Sequence, residues 1–210
     1  MNRTSTLVAA VVGIDGSGKS SAFRDALERL AEHADVVGIG DEYLAGAPGM
    51  ALRARTDLPF ARISRAVAGL AKRTRQPWAY RQLKTLDLMG RSRLREHVVR
   101  EEAPAALLTD GDPLVNTLSW SVGRLYPERL LRDDGRVLEV LRYLSGDTRI
   151  PLAELPYYLR HAWQLVAVNR LGLARFEVPD VVVLLRIDGR SALERIRRRG
   201  RPLQVHETAE

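Results

Sequence analysis

Cysteine is missing from this chain altogether. Disulfides and thiolate metal sites are therefore excluded, and the composition suits a reducing, cytoplasmic setting. No apolar run approaches the roughly 18 residues needed to span a bilayer, so a membrane is not an expected partner. The opening stretch from Met1 to Thr6 is polar and leads into a short apolar run that ends at a glycine loop, where a secretory leader would carry a small-residue cleavage site. His33, His97, His161 and His206 are scattered, without metal-ligand spacing. Aromatic residues make up only 6% of the chain and do not interleave with the basic ones, so stacked nucleic-acid bases have no platform. Lysine is nearly absent as well. Of 33 basic side chains only Lys19, Lys72 and Lys84 are lysines.

What is present is an ordinary globular composition: 210 residues, 45% hydrophobic and 28% charged, enough for one domain with a substantial core. The net charge of +7 favours anionic partners such as nucleotides. Against the arginine bias, Lys19 is informative. It appears where a phosphate-binding loop requires that residue.

Residues 6–12 form a continuous apolar, β-branched run, as in a strand buried on both faces. A helix is expected from about Lys19 to His33, with Phe23, Ala26, Leu27 and Leu30 at helical spacing. Asp35 to Ile39 predicts a second strand, and the glycine- and proline-bearing stretch from Ala45 to Pro59 an irregular loop. Helices follow at about 60–75 and 78–102, then a third strand at Ala105 to Thr109. Residues 114–177 read as mainly helical, with Tyr157, Tyr158 and Trp163 as core aromatics. Val181 to Ile187 predicts a strand and Ser191 to Arg199 a basic helix. Strands alternating with helices imply parallel pairing and a three-layer α/β domain, with ligands beyond the carboxyl ends of the strands. Residues 13–20, 41–43 and 110–112 should gather there.

The stretch Gly13-Ile14-Asp15-Gly16-Ser17-Gly18-Lys19-Ser20 satisfies G-x-x-x-x-G-K-[ST] between a buried strand and an amphipathic helix. Gly13, Asp15, Gly16, Ser17, Gly18, Lys19, Ser20 and Ser21 are the expected triphosphate cradle. Glycines let backbone N–H groups turn inward, and the helix start adds partial positive charge. Lys19 would reach the β- and γ-phosphates of ATP, and the Ser20 hydroxyl would ligate Mg²⁺. Asp110, closing an apolar strand, is the expected second metal residue; Asp112 is its alternate.

With Gly13 to Ser21, Gly90-Arg91 in a long helix, Asp110, and Pro179 to Pro202 (PDVVVLLRIDGRSALERIRRRGRP), the chain resembles the thymidylate-kinase-like P-loop nucleoside and nucleotide kinases. The matches cover roughly the first 30 residues, 85–113 and the final 25. The resemblance implies a mainly parallel sheet flanked by helices in a single domain, 1–210, with a lid at about 197–210. It places Asp15 near the acceptor sugar's 3′-hydroxyl and Arg91 facing the acceptor base. Arg197, Arg198, Arg199 and Arg201 fall where the family's lid begins, and Arg197 and Arg201 are the expected charge-neutralising pair.

Three departures stand beside the resemblance. Gly111 occupies the position where the family carries an arginine on the acceptor's phosphate. Asp41-Glu42-Tyr43 replaces an Arg-Glu-Pro segment, so Asp41 or Glu42 could instead act as general base toward an unphosphorylated hydroxyl. Arg62 and Arg65 could substitute for the missing phosphate grip. Leu203 to Glu210 reads as an interrupted lid, as if the chain continued. The expected activity is γ-phosphoryl transfer from ATP, with Mg²⁺, to a nucleoside or nucleoside monophosphate. The alternatives are a P-loop kinase of another small molecule and a nucleotide-binding regulatory module with little transferase activity. The expected partners are the small-molecule acceptor and a second copy of the chain in a homodimer.

Overall fold

A computed structural model of the chain describes residues 6–55, 59–74, 76–122 and 134–198. Arg199, Arg201, His206 and the lid expected beyond Arg198 lie outside the described residues.

The apolar run becomes strand β1, Leu7–Gly13, in the interior of a six-stranded sheet of order β4-β3-β2-β5-β1-β6. It pairs in parallel with β5 (Ala106–Asp110) on one side and β6 (Val181–Leu185) on the other. β2 (Val36–Ile39) is parallel to β5. β3 (Tyr43–Gly46) and β4 (Arg53–Ala54) return antiparallel at the far edge, so the sheet is mixed rather than wholly parallel. This hairpin corrects the irregular loop expected between Ala45 and Pro59. Its strands are too short to show a period, and it is fastened from outside. Tyr43 Oη donates to both carboxylate oxygens of Glu102 at 2.8 and 2.9 Å, and Arg55 pairs with Glu102 at 2.8 Å while lying over the Tyr43 ring.

Alternation along the strands divides the core in two. Val11, Val36, Ala106 and Leu108 face helix α1 (Lys19–Ala31), which contributes Phe23, Leu27 and Ala31 at one spacing of four residues. Leu30, one position off that stripe, is exposed. On the opposite face Val8, Val37, Ile39 and Leu107 meet α2 (Pro59–Arg73) and α3 (Pro77–His97), through Ala61 and Leu94, with Val98 in the turn just after α3. Helices on both faces of the sheet make three layers, as expected. Among the described side chains the buried positions of α2 are all small (Ala61, Ser64, Ala68 and Ala71), which lets it pack closely on α3.

A third apolar cluster joins α3 to α4 (Pro113–Val122), α5 (Asp134–Ser145) and α6 (Leu155–Asn169). It includes Leu88, Leu114, Tyr143 and Tyr158. Tyr158 packs edge-on against Tyr143 and Tyr157, so these rings serve the core as expected. Trp163 is more exposed, and its Nε1 donates to Gln82 Oε1 at 2.9 Å. The last described helix, α7 (Gly189–Arg198), buries only Ala192 and Ile196. Among the described residues no helix is long and apolar enough to cross a membrane.

Candidate functional site

The carboxyl ends of β1, β2 and β5 lie at one edge of the sheet, and the three expected segments follow them directly. Chains leaving β1 and β5 pass to opposite sides, toward β2 and β6, which opens the crevice where such sheets take ligands.

Gly16 and Gly18 hold φ of 83° and 95°, the left-handed backbone that other residues adopt at a cost. Gly18 thereby becomes the N-cap of α1, and no side chain caps that helix. The N–H groups of Ser21 and Ala22 return to the Gly18 carbonyl at 3.1 and 3.0 Å. Inside the curl the Ser17 hydroxyl is buried with no hydrogen-bond partner among the described residues. A buried hydroxyl left this way costs about 1–3 kcal/mol unless something satisfies it. An uncapped helix start, a left-handed turn and an orphaned hydroxyl at one point fit an anion such as a polyphosphate.

Lys19 Nζ lies 2.9 Å from Asp15 Oδ1, a pair internal to the loop and only partly exposed. Asp15 thus holds the ammonium at the loop. Ser20 and Ser21 are exposed at the first turn of α1. Asp110 ends β5 half-buried, paired in register with Val11 just before the loop. Among the described residues no three His, Cys, Asp or Glu side chains gather as a metal cage. Magnesium commonly takes one or two protein ligands and completes its shell from phosphate and water, and Ser20 with Asp110 suits that pattern.

Asp112, the alternate metal residue, is committed elsewhere. Its Oδ1 accepts the N–H groups of Leu114 and Val115 at 2.9 and 3.0 Å, capping α4, and its Oδ2 meets Arg95 at 3.3 Å. Gly111 has φ of 79° and donates its N–H to the Val11 carbonyl at 2.9 Å. A left-handed turn at this point disfavours the arginine that the resemblance places there.

At the same sheet edge a cavity of about 160 Å³ opens between the end of β2, α2 and α3. Ile39, Tyr43, Ala61 and Leu94 give it an apolar wall, and Asp41, Ser64, Arg65 and Arg91 its polar groups. It is smaller than the roughly 300 Å³ at which ligand pockets usually begin. Asp41 and Arg91, expected separately, are brought together: Arg91 Nη2 donates to Asp41 Oδ1 at 3.4 Å. Glu42 turns away and meets Arg24 of α1 across an exposed 3.7 Å pair. Of the two carboxylates after β2, Asp41 therefore borders the cavity. Arg91 is not a solvated surface residue, being only 14% exposed. Arg62 is exposed and is not among the residues lining the cavity, whereas Arg65 lines it.

The sequence reading missed what holds Arg91. Asp87, with no exposed surface, accepts from Ser64 Oγ at 2.6 Å, from Arg91 Nε at 3.2 Å and from Lys84 Nζ at 3.4 Å. Burial lowers the Lys84 pKa despite the neighbouring Asp87 carboxylate. Arg91 holds its proton more firmly than usual: burial opposes this, but Asp87 and Asp41 outweigh it. The spacing of Lys84, Asp87 and Arg91 at helical intervals was the available signal.

Of the arginines at the start of the expected lid, two lie among the described residues. Arg197 and Arg198 are exposed on α7. Arg195, not singled out beforehand, donates from Nη1 to the Gly16 carbonyl at 3.4 Å. It flanks the Ala192–Ile196 stripe that seats α7, and that stripe was the signal for it.

No family model matches the chain, and no curated protein matches it. Among solved structures, a deoxyadenosine kinase from M. mycoides with bound dATP is similar in shape. The TM-score is 0.41 at 15% identity, covering 93% of this chain and 72% of that one. At that distance the likeness identifies neither family nor substrate.

Proposed function

We propose that the chain transfers the γ-phosphoryl group of a magnesium-bound nucleoside triphosphate to a hydroxyl of a nucleoside or nucleoside monophosphate. The observation that carries this reading is a juxtaposition. The Gly16–Lys19 curl, with its orphaned Ser17 hydroxyl, shares a sheet edge with a cavity bordered by Asp41 and Arg91.

Magnesium triphosphate, when bound, supplies the phosphoryl group and a counter-charge for it. The chain's own groups bind and orient. Backbone N–H groups at the start of α1 and the Lys19 ammonium hold phosphate oxygens, with Lys19 exchanging Asp15 for them. Ser20 and Asp110 are the residues that would hold the metal. Asp41 accepts the proton of the acceptor hydroxyl. Arg91, anchored by Asp87, aims the Asp41 carboxylate. Phosphoryl transfer demands little else, because positioning and electrostatic stabilisation supply most of the rate. Arg195, already touching the loop at the Gly16 carbonyl, is the α7 arginine that would meet the spreading charge.

The test is a product-detecting screen with ATP and Mg²⁺ over thymidine, thymidine monophosphate and other hydroxyl acceptors. Phosphorylated nucleoside or nucleotide is expected, and Lys19→Ala should reduce turnover by about a thousandfold. Product with only non-nucleotide acceptors would move the assignment to another small-molecule kinase. A second reading, a nucleotide-responsive module, is favoured by the closed Asp15–Lys19 pair and by Gly111. Tight triphosphate binding without any phosphorylated product would select it.

A further inference from the structure

The reversal between β2 and β3 presents Asp41 to the cavity, and Tyr43 follows two residues later as the first residue of β3. Tyr43 pairs with Ile39 across the reversal, and the Gly40 N–H donates to the Glu42 carbonyl at 3.0 Å. Two contacts fasten this short piece to α3 and its continuation. The first, Arg91 to Asp41, is a 3.4 Å pair at a carboxylate that is 68% exposed, and exposed pairs of that kind hold weakly. The second is sheltered. Tyr43 is 3% exposed, lines the cavity, and sets its hydroxyl 2.8 and 2.9 Å from the two carboxylate oxygens of Glu102. Arg55 doubles the fastening: its Nη1 donates to Glu102 at 2.8 Å and its backbone N–H to the Tyr43 carbonyl at 2.9 Å. Hydrogen bonds to an ionised group are the stronger kind.

The backbone beneath Glu102 is unusual. Val98–Glu102 is a single π-helical turn that prolongs α3, a form that is rare and concentrates at functional sites. Ala103 follows with φ of 44°, the one positive φ outside glycine among the described residues, and its N–H closes on the Val98 carbonyl at 2.9 Å. Such backbone persists only where its surroundings hold it. We propose that Glu102 is a positioning residue of the phosphoryl transfer. It does not line the cavity itself. Acting through Tyr43, it fixes the reversal that carries Asp41, and so sets where the acceptor hydroxyl meets its base. This rests on the reading of Asp41 as that base. Arg91 aims the carboxylate from one side, and Glu102 holds the backbone beneath it from the other.

The test is kinetic, with kcat counted per triphosphate-binding site by calorimetry so that unfolded chains do not enter. Tyr43→Phe keeps the ring and removes only the hydroxyl, leaving Glu102 with Arg55. It should lower kcat about tenfold in the product assay, because a small misplacement of a catalytic group is costly. Triphosphate Kd should stay fixed. Glu102→Ala should fall at least as far, and Glu102→Gln, which still offers the tyrosine an acceptor oxygen, should recover part of the loss. In Tyr43→Phe/Glu102→Ala the losses should not multiply, since both residues act along one path. A fastening that served only the fold would lower the melting midpoint of each variant and leave kcat per site unchanged. That result in Tyr43→Phe and Glu102→Gln, with the wild type active, overturns the proposal and leaves the transfer reading standing. Fully multiplied losses in the double variant overturn it too. A wild type that binds triphosphate but phosphorylates no acceptor removes the transfer reading, and this inference with it.

Discussion

Arg91 and Arg95 lie one turn apart on α3, and each meets an aspartate that has no exposed surface, Asp87 at 3.2 Å and Asp112 at 3.3 Å. Their surroundings separate them. Arg95 also donates from Nη1 and Nη2 to the backbone carbonyls of Glu177 and Val178, and Asp112 uses its other oxygen to cap α4. Burial dominates in that pair, lowering the Arg95 pKa and raising that of Asp112 against their mutual attraction. It ties α3 to α4 and to the segment before β6. Arg91 instead reaches outward to Asp41, and two of the side chains on Asp87, Ser64 and Arg91, line a cavity. The same two residue types, repeated on one helix, make a strut in one place and a poised charge in the other. The difference lies in whether the remaining partners are backbone groups or open space.

Four substitutions break or sharpen that contrast. Asp112→Ala should be the most damaging to the fold. Leaving Arg95 buried and α4 uncapped costs about 3–5 kcal/mol, visible as a lower denaturation midpoint. Triphosphate affinity of the folded fraction should stay unchanged by calorimetry. A selective loss of acceptor binding there would erase the distinction. Asp41→Asn should do the reverse. The residue is largely exposed, so stability should change by less than about 0.5 kcal/mol, while turnover falls about a hundredfold in the product assay.

Asp87→Asn belongs to both worlds. It should cost about 2 kcal/mol, since Ser64, Lys84 and Arg91 all lose a charged acceptor. It should also raise the acceptor KM roughly tenfold while the triphosphate Kd stays fixed. An unchanged KM would make Asp87 a strut like Asp112.

Lys84→Met should have the mildest effect, seen best in pH dependence. Burial lowers the folded pKa of Lys84 below its ordinary 10.5. The wild type carries a penalty below the folded value that is relieved as pH rises through it toward the unfolded value. The wild type should therefore gain stability relative to Lys84→Met across that alkaline window and show no such gain at neutral pH. Paired denaturant titrations across that window would measure it.

These contrasts also mark how far the chain could be read in advance. The Gly16–Lys19 curl, β1, α1 and the end of β5 were legible because each rests on local rules: an apolar run, a glycine pattern and a helical stripe. Asp41 and Arg91 were both named, but not as partners. Fifty positions separate them, and only the fold brings β2 and α3 together. Asp87 carried a weak local signal, a helical charge spacing that more often marks a solvated face. The β3–β4 hairpin carried none, because Glu102 fastens it from across the molecule.

The third residue after the loop's first glycine shows why a motif position can be fixed by something other than its ligand. A methyl group on Gly16 would sit 2.4 Å from the carbonyl oxygen of Ala192, in the backbone of α7. That helix is laid over the turn with no clearance for even the smallest side chain. Loss of nucleotide affinity in Gly16→Ala would therefore report a displaced roof as much as a spoiled cradle, and only the position of α7 could tell the two apart.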